Sequence, residues 1–245
     1  MRSLSVVLPA FNESKNIGRS VRLALGVLDG RGLEGEVIVV DDGSWDDTPA
    51  VAAAAGDSRV RILRHPRNIG YGAALKTGIF AARMEHVFFT DADLQFDLDE
   101  LGRLEGWAGG YDIIVGYRAE RRDPWVRRLN AWAWNHLVDG LFDLGVRDID
   151  CAFKVFHRRV FDIVEIQSVG AFVNSEILVR ARAAGFRIKE VPVSHYPRRA
   201  GVASGANPRV IGRACVELVR MHADLRAQQR AAAAPLISRR SVEVR

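Results

Sequence analysis

His86-Val87-Phe88-Phe89-Thr90-Asp91-Ala92-Asp93 runs from an apolar stretch straight into two carboxylates one residue apart. Val87, Phe88 and Phe89 follow one another without polar alternation, which is the pattern of a strand covered on both faces, as in a parallel sheet. The predicted strand is His86–Asp91. Carboxylates at such a strand end lose hydration, so they need a cation, hydrogen bonds or open solvent to stay charged. A divalent cation, Mg²⁺ or Mn²⁺, bridging to phosphates meets that need with few protein ligands, because phosphate and water oxygens fill the rest of its shell. Gln95 adds an amide oxygen beside Asp91 and Asp93. The competing role for an aspartate here is to cap the next helix, and Asp97 is better placed for it.

Working outward, similar apolar runs recur at Leu4–Pro9, Glu36–Asp41, Val60–Arg64 and Asp112–Gly116, with helical patterns between them at Ser14–Leu28, Asp46–Ala55 and Gly72–Arg83. The first of these helices shows Ile17, Val21, Leu25 and Leu28 on one face, with Ser14 as its predicted cap. Alternation of this kind predicts an α/β fold with a mostly parallel central sheet flanked by helices. A second portion supplies a strand at Cys151–Phe156, a helix at Asn174–Ala184 and a strand at Arg187–Val193. Ligands of such sheets bind beyond the carboxyl ends of the strands. Those ends carry Pro9-Ala10-Phe11-Asn12-Glu13, Asp41-Asp42-Gly43-Ser44 and Asp91-Ala92-Asp93.

The 245 residues suit one catalytic domain, predicted over 1–205 with a nucleotide-side half, 1–117, and an acceptor-side half, 118–205. A basic amphipathic helix is predicted over 206–230 and a frayed tail over 231–245. Lys and Arg number 35 against 30 Asp and Glu, a net charge of +5 that suits anionic lipid, phosphate or nucleic acid alike. The basic residues lack the aromatic interleaving of a single-strand platform, so nucleic acid is not the expected partner. Cys151 and Cys215 are the two cysteines, too few for a disulfide framework or zinc cluster, and both are expected to be buried in a protein of the reducing cytoplasm. No apolar run approaches the ~20 residues of a spanning helix, and with a first strand beginning by Leu4 a signal peptide is not expected.

Between 118 and 134 the composition shifts. Arg118, Arg121, Arg122, Arg127 and Arg128 stand among Trp125, Trp132 and Trp134. Trp125, Leu129, Trp132, Leu137 and Leu141 form either a stripe that dips into lipid or part of the core. Asp42 is the predicted ligand contact of the second cluster, with Asp41 as loop brace. Asn68-Ile69-Gly70-Tyr71-Gly72 lets backbone approach a nucleotide with Lys76 one turn on, but it lacks the spacing of a phosphate-binding P-loop. His195 and Glu176 are candidates of lower rank, Glu176 having Arg180 four residues away as an alternative partner.

Taken in order, VVLPAFNE (6–13), VVDDGSWDDT (39–48), RNIGYGAALKTG (67–78), TDADLQ (90–95), DIIVGYR (112–118), DIDCAFKVF (148–156) and EVPVSHYPRRAG (190–201) resemble glycosyltransferase family 2, and most of all its polyprenol-phosphate (dolichol-phosphate) mannosyltransferase-like branch. The resemblance implies a glycosyltransferase-A, Rossmann-like fold, a nucleotide-sugar donor, a divalent cation and a polyprenyl phosphate acceptor. By position it assigns Pro9, Ala10, Phe11, Glu13, Val40, Asp42 and Lys76 to the nucleotide sugar. Asp91, Ala92, Asp93 and Gln95 fall to the diphosphate and metal, and Asp93, Arg118 and Arg198 to catalysis. Arg118, Arg127, Arg128, Arg198 and Ser204 fall to the acceptor phosphate. Ser204 stands where the family often has lysine, and Arg199 is the candidate to replace that charge. The resemblance also implies a cytoplasmic protein held peripherally on the inner face of the plasma membrane. Two other readings stand beside it: transfer to a hydroxyl acceptor, which requires a base such as Asp148, Asp150 or Glu176, and a nucleotide-binding protein without catalysis.

Overall fold

The computed structural model describes residues 1–119, 125–198 and 212–227, the side chains of Val126 and Arg127 excepted. Seven strands form one sheet: β1 (Ser3–Ala10), β2 (Glu34–Asp41), β3 (Val60–Arg64), β4 (His86–Thr90), β5 (Ile113–Arg118), β6 (Phe153–His157) and β7 (Ile188–Val193). Their order is β3-β2-β1-β4-β6-β5-β7. All pair in parallel except β6, which runs antiparallel to β4 and β5. The mostly parallel sheet is therefore the one the apolar runs predict.

Helices cover it: α1 (Ile17–Gly30), α2 (Thr48–Ala53), α3 (Tyr71–Ala81), α4 (Leu101–Glu105), α5 (Trp125–Phe142), α6 (Val173–Ala183) and α7, residues 212–227. α1 buries Ile17, Val21, Ala24, Leu25 and Leu28 against the sheet, each large side chain contributing about 1.5–3 kcal/mol. The predicted Ser14 cap is not used. Ser14 N–H donates to Asp46 Oδ2 at 3.2 Å and Asn16 Nδ2 to Glu13 at 2.6 Å. The chain is thus tied to the 44–48 loop through Ser14, Asn16 turns back on Glu13, and the helix starts at Ile17.

β4 and β6 form the aromatic centre of the core, with Phe88 against Phe153 at 4.7 Å and Phe89 stacked on Phe156 at 5.7 Å. α5 carries no clear sequence signature because both of its faces are apolar. Val138 is fully buried, Trp134 donates to Ser175 Oγ at 3.1 Å, and Phe142 meets His222 of α7. Trp125, Leu129 and Trp132 on the far face, and Leu137 and Leu141 on its flank, are turned to solvent, between 40% and 73% exposed. Among the described residues, no helix is long and apolar enough to cross a membrane. Cys151 is buried as expected, its thiol pushed up to about 12 by burial, whereas Cys215 is exposed on α7.

This topology brings the carboxyl ends of β1, β2, β4, β5 and β7 to one edge, together with the amino end of β6, since Thr90 pairs with Phe153. That edge is where a ligand can meet all of them.

Candidate functional site

Asp91 and Asp93 leave the end of β4 on a turn held from below, where Ser20 Oγ donates to the Ala92 carbonyl at 2.8 Å. Leu94 follows with φ 62°, a left-handed conformation that costs a branched side chain about 1–2 kcal/mol. Strain of this kind persists where surrounding contacts over-determine the backbone. Gln95 N–H donates back to Asp93 Oδ1 at 3.1 Å, and Asp97 caps the next turn by accepting from Asp99 N–H, as predicted.

The electrostatics of the pair are those of a cation seat. Asp91 Oδ1 is sealed from solvent with no hydrogen-bond partner. Burial raises the Asp91 pKa, with Tyr71, Lys154 and Arg118 opposing the rise. Asp93 is raised to about 7, by burial first and then by the charge of Asp91. Two carboxylates that resist ionising together fit a divalent cation, which would relieve both. Among the described residues no third His, Cys, Asp or Glu completes a metal cluster. Phosphate and water oxygens would therefore supply the remaining ligands, as an octahedral Mg²⁺ or Mn²⁺ site permits.

Behind the pair lies a polar cluster that sequence reasoning missed. Tyr71, the first residue of α3, buries its hydroxyl near Asp91 and Asn174, and burial followed by the charge of Asp91 raises its pKa. Lys154 is fully buried, donating to the Cys151 carbonyl at 2.5 Å and to Asn174 Oδ1 at 3.0 Å. Burial lowers the lysine's pKa. A lysine within the apolar strand Phe153–His157 was the one legible sign of this cluster.

Arg198 reaches the pair from the segment after β7. That segment is fastened beside the metal turn: Ser194 donates to Glu100, Tyr196 N–H to the Gln95 carbonyl at 2.8 Å, and Gln95 Nε2 to the Tyr196 carbonyl at 3.1 Å. Arg198 then pairs with Glu13 and stands 3.8 Å from Asp93 Oδ2. His195 packs on Phe96 at 5.4 Å, a structural placement.

Other predicted residues fall differently. Asp42 accepts from Ile69 N–H at 3.0 Å and Gly70 N–H at 2.8 Å, and its Oδ1 lies 2.7 Å from His65 Nδ1. It thus braces a loop, the role predicted for Asp41. Asp41 does the same on its own side, through Ser44 N–H and Arg64. Gly70, with φ 116°, and Gly72 let the 67–72 loop close on residues 168–170, where a Cβ on Gly70 would lie 2.3 Å from the Val169 carbonyl oxygen. Those glycines serve chain packing. Pro9, Ala10 and Val40 are buried strand-end residues, and Lys76 is half-buried on α3. Arg118 forms a two-bond pair with Asp148, both contacts at 2.7 Å. Glu176 accepts from Ser168 N–H at 2.8 Å and Arg180 Nε at 3.0 Å. Arg128 is exposed at the start of α5. Ser204, Arg199 and the Arg127 side chain lie outside the described residues.

Comparison with known proteins agrees with this geometry. Residues 5–164 match the family described as Glycosyl transferase family 2. Glycosyltransferase AglD of Haloferax volcanii is 36% identical over 80% of the chain, and the low-salt glycan biosynthesis hexosyltransferase Agl6 of the same organism 29% identical over 80%. The chain spans 33% and 48% of those relatives' lengths. In fold it is similar to mannosyl-3-phosphoglycerate synthase from Rubrobacter xylanophilus, with TM-score 0.71 and 21% identity over 94% of this chain and 75% of that one. Glucosyl-3-phosphoglycerate synthase from Mycobacterium tuberculosis, solved with Mn²⁺, UDP and glucosyl-3-phosphoglycerate, gives TM-score 0.66 and 24% identity over 82% and 73%.

Proposed function

The chain belongs to glycosyl transferase family 2, and from that footing we propose that it is a metal-dependent, inverting enzyme moving a hexose from a nucleotide sugar to a polyprenyl phosphate. On this reading it belongs with the polyprenol-phosphate mannosyltransferase-like branch and works at the cytoplasmic face of the plasma membrane. The observation that carries the phosphate acceptor is the state of the acceptor-side carboxylates. A hydroxyl acceptor needs a base, yet Asp148 is engaged by Arg118 and Glu176 by Arg180 and backbone N–H groups, and the third candidate, Asp150, is turned to solvent. A phosphate oxygen is already anionic near neutral pH and needs no base. The lipid part of the acceptor is supported by the outward apolar face of α5, with Arg128 beside it to meet anionic head groups.

A divalent cation held by Asp91 and Asp93, with Gln95 alongside, would offset the charge of the departing diphosphate. Arg198 orients the acceptor phosphate opposite it, which lowers the entropic barrier between two anions. The acceptor oxygen bonds to the anomeric carbon as the bond from that carbon to the diphosphate oxygen breaks, inverting the centre.

The test is incubation of the full chain with UDP- and GDP-hexoses, Mn²⁺ and a panel of acceptors: polyprenyl phosphate, 3-phosphoglycerate and a hydroxyl-bearing lipid. Glycolipid formed on the polyprenyl phosphate is the expected result. Product on the hydroxyl lipid or phosphoglycerate alone would overturn the acceptor assignment. Flotation on anionic vesicles should follow α5, falling in Trp132→Glu with no change in melting temperature.

A further inference from the structure

We infer that Trp45 is a nucleobase contact of the donor site, forming with Phe11 a right-angled aromatic seat; the inference rests on the nucleotide-sugar reading above. Singly exposed apolar side chains are ordinary. Trp45 is set apart by its degree of exposure, its partner and its anchoring. At 81% it is the most exposed large apolar side chain among the described residues. Its ring lies 4.9 Å from Phe11 with the planes at 88°. A flat heterocycle entering that corner stacks on one ring and presents its edge to the other, the two arrangements aromatic quadrupoles favour.

The seat is held rigid from both sides. Asn12 N–H donates to Ser44 Oγ at 2.8 Å, Trp45 N–H to Asn12 Oδ1 at 3.1 Å, and Glu13 N–H to Thr48 Oγ1 at 2.8 Å. Asn12 itself sits at φ 55° to make the exchange. An indole on a free loop would lose entropy on binding; one on a cross-braced turn loses little.

The position also fits a stretched nucleoside diphosphate. Phe11 follows β1 and Trp45 follows β2, while the carboxylate pair follows β4 on the other side of β1. Two strand spacings separate β4 from β2, about 10 Å. With the diphosphate at Asp91 and Asp93, a base directed along the sheet edge arrives at Phe11 and Trp45. The seat reads no hydrogen-bond pattern, so it accepts uracil or guanine.

Calorimetric titration of the full chain with UDP, GDP and pyrophosphate, each with Mn²⁺, tests this. Trp45→Ala should weaken nucleotide binding on the order of tenfold, the usual cost of losing one base-stacking side chain, while leaving pyrophosphate unchanged. Trp45→Phe should restore most of the affinity. Wild-type nucleotide affinity in Trp45→Ala, or an equal loss for pyrophosphate, would overturn the base contact and leave the donor reading standing. A wild-type chain that binds pyrophosphate with Mn²⁺ but gains nothing from UDP or GDP would overturn both.

Discussion

Asp93→Asn should stabilise the metal-free protein at pH 8 while abolishing turnover. The native Asp93 carboxyl titrates at about 7 against an ordinary 3.8, because it is buried beside Asp91. Between those values the native state holds a proton the unfolded chain has released, so the unfolded state binds fewer protons. Stability therefore falls as pH rises through that window and stays low above it. A displacement of that size corresponds to about 4 kcal/mol at 1.36 kcal/mol per pH unit. It is an upper figure, since Arg198 stands 3.8 Å away and entering water softens burial. For 245 residues, with about 2.1 cal/mol/K of unfolding entropy each, it amounts to roughly 8 °C in Tm. An asparagine keeps the shape and carries no charge. The assay is urea unfolding of wild type and variant in EDTA at several pH values, histidine contributions cancelling between the two. The stability gap should open from pH 4 to pH 8 in favour of the variant. Mn²⁺ with nucleotide should then raise the wild type alone. A variant no more stable than wild type at pH 8 would refute the claim that this carboxylate is held under electrostatic strain for a cation.

Three further outcomes follow from the packing. Gly70→Ala puts a Cβ 2.3 Å from the Val169 carbonyl at a φ of 116° and should cost more than ~2 kcal/mol; an unchanged urea midpoint would contradict the close approach. Arg118→Met removes the bidentate partner of buried Asp148 and should cost about 3 kcal/mol, with Arg118→Met/Asp148→Asn costing less than the sum of the singles; strict additivity would refute the coupling. Burial lowers the pKa values of His86 and His157, whose rings lie 5.1 Å apart near Glu85 and Arg159. The unfolded chain then protonates first, so stability should fall as pH drops below about 6.5, and His86→Phe should flatten that fall in pH-dependent unfolding.

The sequence by itself determined the strands, most of the helices, the sheet edge that would carry chemistry and the carboxylate pair on it. These are legible because a buried parallel strand must be an unbroken apolar run, and because acidic residues at its end are too costly to be incidental. Only the tertiary structure decided which partners the polar residues of the site and its loops take. Asp42, Arg118 and Glu176 stand in motif positions, but their partners, 23 to 28, 30, and 4 to 9 residues away in the chain, are read only from the fold. Tyr71, Asn174 and Lys154 converge behind Asp91 from three separate elements. α5 escaped prediction because two apolar faces erase the helical period that a single face would show. Local pattern reports how each residue is solvated by its neighbours in sequence; pairing and burial across the sheet depend on distances that only the folded chain sets.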